Sequence, residues 1–196
     1  MKNICVFCGS SRGIHDKYVN HAIKMAEEMV KEGINLVYGG ADIGLMKIIA
    51  DTILERGGNV IGVMPQALMD EEIAHKKLTE MHIVETMSER KELMAAKSDA
   101  FIALPGGIGT FDELFEVLSW NQLGLMQKPV SILNTDGFFD DLISFLKRAE
   151  EDKFLREEHL LNLIVEDSPA KLIQKLKDYN YLVAEKWVDR LREMGY

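Results

Sequence analysis

The sequence predicts an α/β fold: a Rossmann-like, doubly wound parallel sheet with helices on both faces, in three αβα layers. Short apolar segments alternate with amphipathic helical patterns along the chain, as strands and helices do in such sheets. At 196 residues, 47% of them hydrophobic, the chain can bury one sizeable core. Three glycine-rich turns each follow a predicted strand and lead into a predicted helix. No internal repeat, low-complexity tract or linker is visible, so residues 1–181 are expected to form a single domain.

Each strand is predicted from a short apolar run. In chain order these runs are residues 2–8, 35–38, 59–64, 82–84, 100–104, 130–133 and 163–165. Each helix is predicted from an amphipathic pattern with apolar residues three and four positions apart. In chain order these segments are residues 16–31, 44–56, 88–97, 110–123, 138–151 and 169–178.

The glycine-rich turns lie at residues 9–13, 39–44 and 106–109. In doubly wound sheets, ligands bind beyond the carboxyl ends of the strands. A single glycine turn is weak evidence, because glycine also serves tight turns for steric reasons. Three such turns at one edge, each entering a helix, predict one ligand-binding cleft. The candidate ligand contacts in the first two turns are Gly9, Ser10, Gly39 and Gly40.

The third turn is the most informative segment of the chain. The apolar run 100–104 breaks into Pro105-Gly106-Gly107 and then enters a helix. Free backbone N–H groups and a positive helix end at such a turn suit a phosphate. Neither the Walker motif nor the full dinucleotide fingerprint is present, which favours a mononucleotide or a sugar phosphate without hydride chemistry. The candidate phosphate contacts are Gly106, Gly107, Ile108, Gly109 and Thr110.

Glu113 is the candidate catalytic carboxylate, and it has two interpretations. Thr110 and Glu113 have the spacing of a capping box, in which the glutamate only bonds back to the helix start. However, the preceding turn is richer in glycine than a cap requires, which favours a functional role. Glu116 and Trp120 are predicted on the same helical face, so Glu116 is a second candidate.

Arg90 and Lys91 form a second candidate group. Ser88 is predicted to cap their helix, which places both cations in its first turn, where they oppose the helix dipole. A guanidinium there can clamp a phosphate or a carboxylate in two-pronged geometry. The alternative is a solvated pair of cations on an exposed helix.

Composition argues against several classes of function. The net charge of −9 argues against a nucleic-acid partner, which would need basic patches. No run of about 18 apolar residues is present, so no membrane-spanning helix is expected. The first residues lack the pattern of a signal peptide, and we expect a soluble, cytoplasmic protein.

Cys5 and Cys8 form a Cys-x-x-Cys pattern, which occurs in redox and zinc sites. In a strand, positions three apart face opposite sides, and no second cysteine pair completes a zinc site. Two ordinary reduced thiols are therefore expected. The five histidines show no metal-binding spacing, so no metal is expected. No cofactor is expected either.

Residues 182–196 are predicted to form a C-terminal helical extension. Val183, Trp187, Leu191 and Met194 make an apolar stripe at helical spacing. Such a stripe is typical of a terminal helix docked on its own domain, and the alternative is a segment that binds a partner.

Several motifs occur together in one order. Residues 105–113 read Pro-Gly-Gly-Ile-Gly-Thr-Phe-Asp-Glu and match the Pro-Gly-Gly-x-Gly-Thr-x-x-Glu signature of the LOG family, and residues 87–91 resemble its Arg-Lys element. This family comprises cytokinin riboside 5′-monophosphate phosphoribohydrolases. The resemblance covers residues 1–179, although Ala41 and Lys47 stand where family members usually have glycine. Further segments that look like family landmarks are residues 7–11, 38–40, 44–46 and 62–65.

The resemblance implies that residues 1–181 are a nucleotide-binding catalytic domain, with Arg90 and Glu113 catalytic. It implies that Lys91 and the loop 107–110 hold the nucleotide, a small-molecule partner. It also implies a homodimer with the site near the subunit interface. The further substrate contacts that it implies are Glu72 and Ser119.

The predicted reaction is hydrolysis of the N-glycosidic bond of a purine riboside 5′-monophosphate, giving free base and ribose 5-phosphate. Its transition state resembles an oxocarbenium ion, which Glu113, with Glu116, is expected to stabilise while Arg90 orients the nucleotide. Three alternatives stay open: an amino-acid decarboxylase with a pyridoxal-phosphate lysine, a nucleotide sensor without catalysis, and a structural α/β protein whose glycines only serve turns.

Overall fold

Short apolar strands that return through helices build one parallel sheet in this protein. The structure is a computed structural model that describes residues 1–69 and 74–183. In these ranges the sheet order is β4-β3-β2-β1-β5-β6-β7, and the order reverses between β1 and β5. The strands are β1 Asn3–Phe7, β2 Asn35–Tyr38, β3 Val60–Pro65, β4 Glu80–Val84, β5 Ala100–Ala103, β6 Val130–Leu133 and β7 Leu163–Glu166.

Helices cover both faces of the sheet. One core contains buried side chains from the first, second and last helices, and the other contains side chains from the fourth to seventh. The predicted three-layer Rossmann-like fold is confirmed. The helices are α1 Asp16–Lys31, α2 Gly44–Glu55, α3 Gln66–Met69, α4 Met87–Ala96, α5 Ile108–Gln122, α6 Asp140–Glu151, α7 Glu157–Leu161 and α8 Pro169–Lys177, with a 3-10 turn at Thr135–Gly137.

Strand β1 shows how the pleat divides the two cores. Ile4 and Val6 pack on the α1, α2 and α8 side, while Cys5 and Phe7 pack on the other side. Cys8 returns to the first side, so the two thiols face opposite cores, both buried and both free. The prediction that the two cysteines face opposite sides of the sheet is confirmed.

Most predicted boundaries agree with the structure to within two residues, but two short helices were missed. Helices α3 and α7 have four and five residues, too few to show a helical period. Helix α5 begins at Ile108, two residues before its predicted start, because Gly107 already serves as the N-cap. This earlier start changes the interpretation of Glu113.

The predicted C-terminal helical extension lies almost wholly outside the described residues, which end at Val183. Tyr181, Leu182 and Val183 themselves are not helical. Within the described part of the chain, no helix has the length and apolar character needed to cross a bilayer.

Candidate active site

The three glycine turns meet at the carboxyl edge of the sheet, beside the reversal of strand order. The Gly9 N–H donates to the Pro105 carbonyl at 3.0 Å, and the Leu45 N–H donates to the Gly9 carbonyl at 3.0 Å. A Cβ on Gly106 would overlap the Thr110 hydroxyl and come within 2.9 Å of the Gly9 nitrogen. Only glycine fits there, so the three turns are in direct contact at one edge of the sheet.

A cavity of about 340 Å³ opens between the first and third turns. This volume falls in the range of ligand pockets. At its floor, Gly107 caps α5 without a side-chain hydrogen bond, so the first N–H groups of the helix are free to bind an anion. The lining residues are Gly9, Ser10, Ser11, Arg12, Gly13, Tyr18, Leu45, Pro105, Gly106, Gly107 and Phe138.

Arg90 lies at the end of the second turn and is held by backbone oxygens. Its Nε donates to the Val63 carbonyl at 3.0 Å, and its Nη2 donates to the Gly39 carbonyl at 3.2 Å. Gly39 leaves the space for the guanidinium, because a Cβ there would overlap Nη2. The arginine is therefore fixed in place rather than solvated, and the alternative of an exposed cation pair is wrong for Arg90.

Glu113 projects from α5 towards Arg90. The distance from Arg90 Nη1 to Glu113 Oε1 is 3.8 Å, and both side chains are nearly buried. Burial raises the pKa of Glu113 from 4.5 to about 7, although the charge of Arg90 opposes the rise. A carboxyl group that titrates near neutral pH is suited to proton transfer or to stabilising a positive charge.

The capping interpretation of Glu113 is wrong. Because α5 begins at Ile108, Thr110 is already inside the helix and cannot be its N-cap. Thr110 is buried and packs against Gly106 instead. Glu113 has no capping hydrogen bond to the helix start among the described residues.

Lys91 forms ion pairs with two carboxylates of α5, Asp112 and Glu116. Its Nζ lies 3.1 Å from Asp112 Oδ2 and 3.0 Å from Glu116 Oε1. Burial lowers the pKa of Lys91, but the hydrogen bonds to Glu116 and Asp112 outweigh it and raise the pKa above its ordinary value. Glu116 thus contacts Lys91, and the structure gives it no contact with Arg90.

The start of α4 differs from the prediction. The N-cap is Thr86, whose Oγ1 accepts the Glu89 N–H at 3.1 Å, and Glu89 accepts the Glu85 N–H at 2.9 Å in return. Ser88 lies inside the helix, so the prediction that it caps α4 is wrong. Thr86 and Glu89 have the spacing of a capping box, and Thr86 lies two residues before Ser88, the predicted cap.

Two predicted substrate contacts lie elsewhere or cannot be placed. Ser119 lines a separate apolar groove between α5, α6 and α7, and it does not line the glycine cavity. Glu72 lies outside the described residues. A Cβ on Gly40 would meet Met81 and Met64, and its neighbour Gly39 leaves space for Arg90, so neither glycine lines the cavity.

Arg12, Tyr18 and Phe138 are among the lining residues that sequence reasoning missed. Arg12 lies inside the first glycine turn, so its position in the sequence was a usable signal. Tyr18 and Phe138 meet edge to face with ring centroids 5.7 Å apart. They come from distant parts of the chain, and no local pattern joins them.

Among residues 1–69 and 74–183, one group has donor atoms close enough to hold a metal: Asp42, Asp51 and His75. The Lys47 ammonium already bridges the two carboxylates, at 2.5 and 3.2 Å. The Lys77 N–H donates to His75 Nδ1, so Nε2 carries the proton and donates to Asp51 at 2.9 Å. This group is built as a hydrogen-bonded ion-pair network.

These features define a class of protein: a Rossmann-like α/β protein with a glycine-lined cavity at the start of α5 and, further along α5, a glutamate paired with a nearly buried arginine. A family model described as "Possible lysine decarboxylase" matches residues 46–176. The chain is 44% identical over 198 residues to a probable cytokinin riboside 5′-monophosphate phosphoribohydrolase, LOGL2, of Oryza sativa subsp. japonica, covering 100% of this chain and 81% of that protein. It is also 44% identical over 178 residues to the cytokinin riboside 5′-monophosphate phosphoribohydrolase LOG5 of Arabidopsis thaliana, covering 91% and 78%. The chain belongs to the LOG family.

Solved structures with the same fold are more distant in sequence. The molybdenum cofactor binding protein from Rippkaea orientalis superimposes with a TM-score of 0.69 at 22% identity, covering 91% of this chain and 97% of that one. The Moco carrier protein from Chlamydomonas reinhardtii gives a TM-score of 0.68 at 20% identity, covering 90% and 96%. These likenesses show the fold alone.

A pyridoxal-phosphate lysine does not fit this site. Such a lysine must lose its proton to form a Schiff base, which a lowered pKa favours. Lys91, the lysine beside Arg90 and Glu113, is paired with two carboxylates and has a raised pKa. The residues present therefore do not suit the amino-acid decarboxylase named by the family model.

The buried state of Glu113 predicts a pH-dependent stability. The folded protein binds the Glu113 proton more tightly than the unfolded chain, so this group lowers the free energy of unfolding as the pH rises from 4.5 to 7. Glu113→Gln should remove a destabilisation of up to about 3 kcal/mol above pH 7. We expect the variant to gain stability relative to the parent at pH 8 and not at pH 4.5, measured by denaturant unfolding. A difference independent of pH would contradict the raised pKa.

Proposed function

We propose that this protein hydrolyses the N-glycosidic bond of a purine riboside 5′-monophosphate to give the free base and ribose 5-phosphate. The observation that carries the proposal is the nearly buried Arg90–Glu113 pair, because Glu113 lies on α5, whose N-cap Gly107 lines the glycine cavity. The names of the relatives in rice and Arabidopsis support the same reaction.

The substrate phosphate binds at the third glycine turn. Backbone N–H groups of Gly106, Gly107 and the first turn of α5 surround it, and the positive end of the helix favours its charge. Arg12 and Ser10 line the same cavity and add a cation and a hydroxyl. This arrangement makes the monophosphate a requirement for binding, so a nucleoside without phosphate is a poor substrate.

Bond cleavage takes place beside Glu113. The C–N bond to the base breaks, its electron pair leaves with the base, and positive charge develops on the ribose. Ionised Glu113 stabilises this charge and accepts a proton from the water that attacks the anomeric carbon. The departing base takes up a proton from solvent to become the neutral free base, and Glu113 then releases its own proton to solvent. Arg90 orients the nucleotide, and Lys91 holds Glu116 close to the same face.

The test is chromatography of the purified protein after incubation with AMP and, separately, with isopentenyl-AMP, alongside the matching nucleosides. We expect free base and ribose 5-phosphate from the monophosphates, at least about a hundredfold faster than from the nucleosides, because the phosphate site contributes charge-assisted bonds. The preferred nucleotide identifies the base. Binding of both nucleotides without any product would show that the protein is a nucleotide sensor and not an enzyme of this reaction.

We also propose that the protein is a homodimer with the site close to the subunit interface. Met87 and Ile108 support this arrangement, because both are exposed apolar side chains at the first residues of α4 and α5, the helices that carry Arg90 and Glu113. Light scattering should give a mass of about twice the 22.2 kDa of one chain. A mass of one chain at assay concentration, with full activity, would contradict it.

A further inference from the structure

An apolar groove lies between α5, α6 and α7, and it shares no lining residue with the glycine cavity. We call it the α5–α7 groove, and its volume is about 130 Å³. That space is well below the usual range for a ligand pocket. The lining residues are Phe115, Leu118, Ser119, Gln122, Leu146, Leu155, His159, Leu160 and Leu163.

The described chain ends at the rim of this groove and is fixed there by hydrogen bonds. The Tyr181 hydroxyl donates to the Asn121 carbonyl at 2.8 Å. Asn162 Nδ2 donates to the Leu182 carbonyl at 2.8 Å, and its Oδ1 accepts the Leu182 N–H at 2.9 Å. Asn121 precedes Gln122 in the sequence and Asn162 precedes Leu163, and both Gln122 and Leu163 line the groove. The chain therefore leaves the fold directly beside the groove.

Thirteen residues follow Val183 in the sequence, and they lie outside the described residues. Trp187, Leu191 and Met194 continue the apolar stripe that begins at Val183, at spacings of four, four and three. As a helix, thirteen residues span about 20 Å, and Trp187 would lie only about 6 Å along the axis from Val183. A large apolar side chain is thus within reach of an apolar groove.

We propose that residues 184–196 form an amphipathic helix that docks on their own domain, with Trp187 in the α5–α7 groove. Burying an indole and the following stripe removes apolar surface from water on both partners. The occupant belongs to the same chain, because the hydrogen bonds at Tyr181 and Leu182 hold the start of the segment at the groove. Docking is independent of the proposed reaction, since the groove shares no lining residue with the glycine cavity.

Trp187 fluorescence tests the docking in the full chain. Trp120→Phe leaves Trp187 as the single tryptophan, since the chain has two. In the Trp120→Phe protein we expect blue-shifted emission from a buried Trp187. Adding Leu155→Ser makes the groove polar, and we expect it to raise the acrylamide quenching constant at least about threefold. Phe154→Ser is the matched control, because Phe154 is the exposed neighbour outside the groove and should leave quenching unchanged. Far-UV circular dichroism checks that each variant is folded.

Concentration separates the possible occupants. Docking within one chain gives the same quenching constant from about 0.5 to 50 μM, because the local concentration of a tethered segment is fixed. Protection that appears only as concentration rises would assign the groove to a segment from a second copy and overturn the proposal. Full exposure of Trp187 in the Trp120→Phe protein would also overturn the proposal. So would equal quenching constants after adding Leu155→Ser and after adding Phe154→Ser.

Discussion

Glu113→Gln is expected to reduce turnover of a purine riboside 5′-monophosphate by about a thousandfold or more, because the amide carries no charge and accepts no proton. The substitution keeps the size of the side chain and removes only its ionisation. Arg90 lies 3.8 Å away and is held independently by the carbonyls of Val63 and Gly39, so its position should persist. The measurement is release of free base from AMP under single-turnover conditions.

Asp112→Asn is the matched control for this prediction. Asp112 is the sequence neighbour of Glu113, also pairs with a cation, but its side chain is 58% exposed. We expect its loss to change turnover by no more than about threefold, as for most exposed ion pairs. Nucleotide binding, measured by calorimetry, should survive in both variants. Full turnover by folded Glu113→Gln would show that the catalytic assignment is wrong.

Displacing the Arg90 side chain should have the second largest effect on the rate of the reaction. A Cβ at Gly39 would overlap the guanidinium, so Gly39→Ala is expected to displace Arg90 and lower kcat/KM by about a hundredfold. Arg90→Lys should give a loss of similar size, because an ammonium cannot reproduce the planar set of donors. Steady-state kinetics on the monophosphate measures both effects.

Arg56→Lys is the control for the loss of guanidinium geometry, since Arg56 forms an exposed ion pair with Glu27 on a distant helix. It should retain the parent's kcat/KM. If Gly39→Ala retained it as well, with the fold intact, the position of Arg90 would not matter to the reaction.

Local patterns predicted the fold because each buried strand and each long helix carries its own period. Helix α1 and strand β2 have the predicted limits. Helices α3 and α7 escaped prediction because four or five residues do not complete enough turns to reveal a face. The start of α5 was placed two residues late, since a glycine N-cap leaves no side-chain signature.

The site was predictable only where one turn or one motif defines it. The glycine turns predicted the cleft, because strands of a parallel sheet end at a common edge. The burial of Glu113 was not predictable, as its spacing from Thr110 fits a cap equally well. Tyr18 and Phe138 reach the cavity from separate elements, and the sequence contains no sign that they meet.

The two cysteines have a practical consequence for chemical labelling. Cys5 and Cys8 are buried in opposite cores, and burial raises the pKa of each thiol well above its ordinary value. Since the thiolate is the reactive form, neither should react with maleimides while the protein is folded. A cysteine introduced at the surface could then carry a single fluorophore without removal of the native pair. The slow modification of the native thiols would in turn report how often the whole sheet opens.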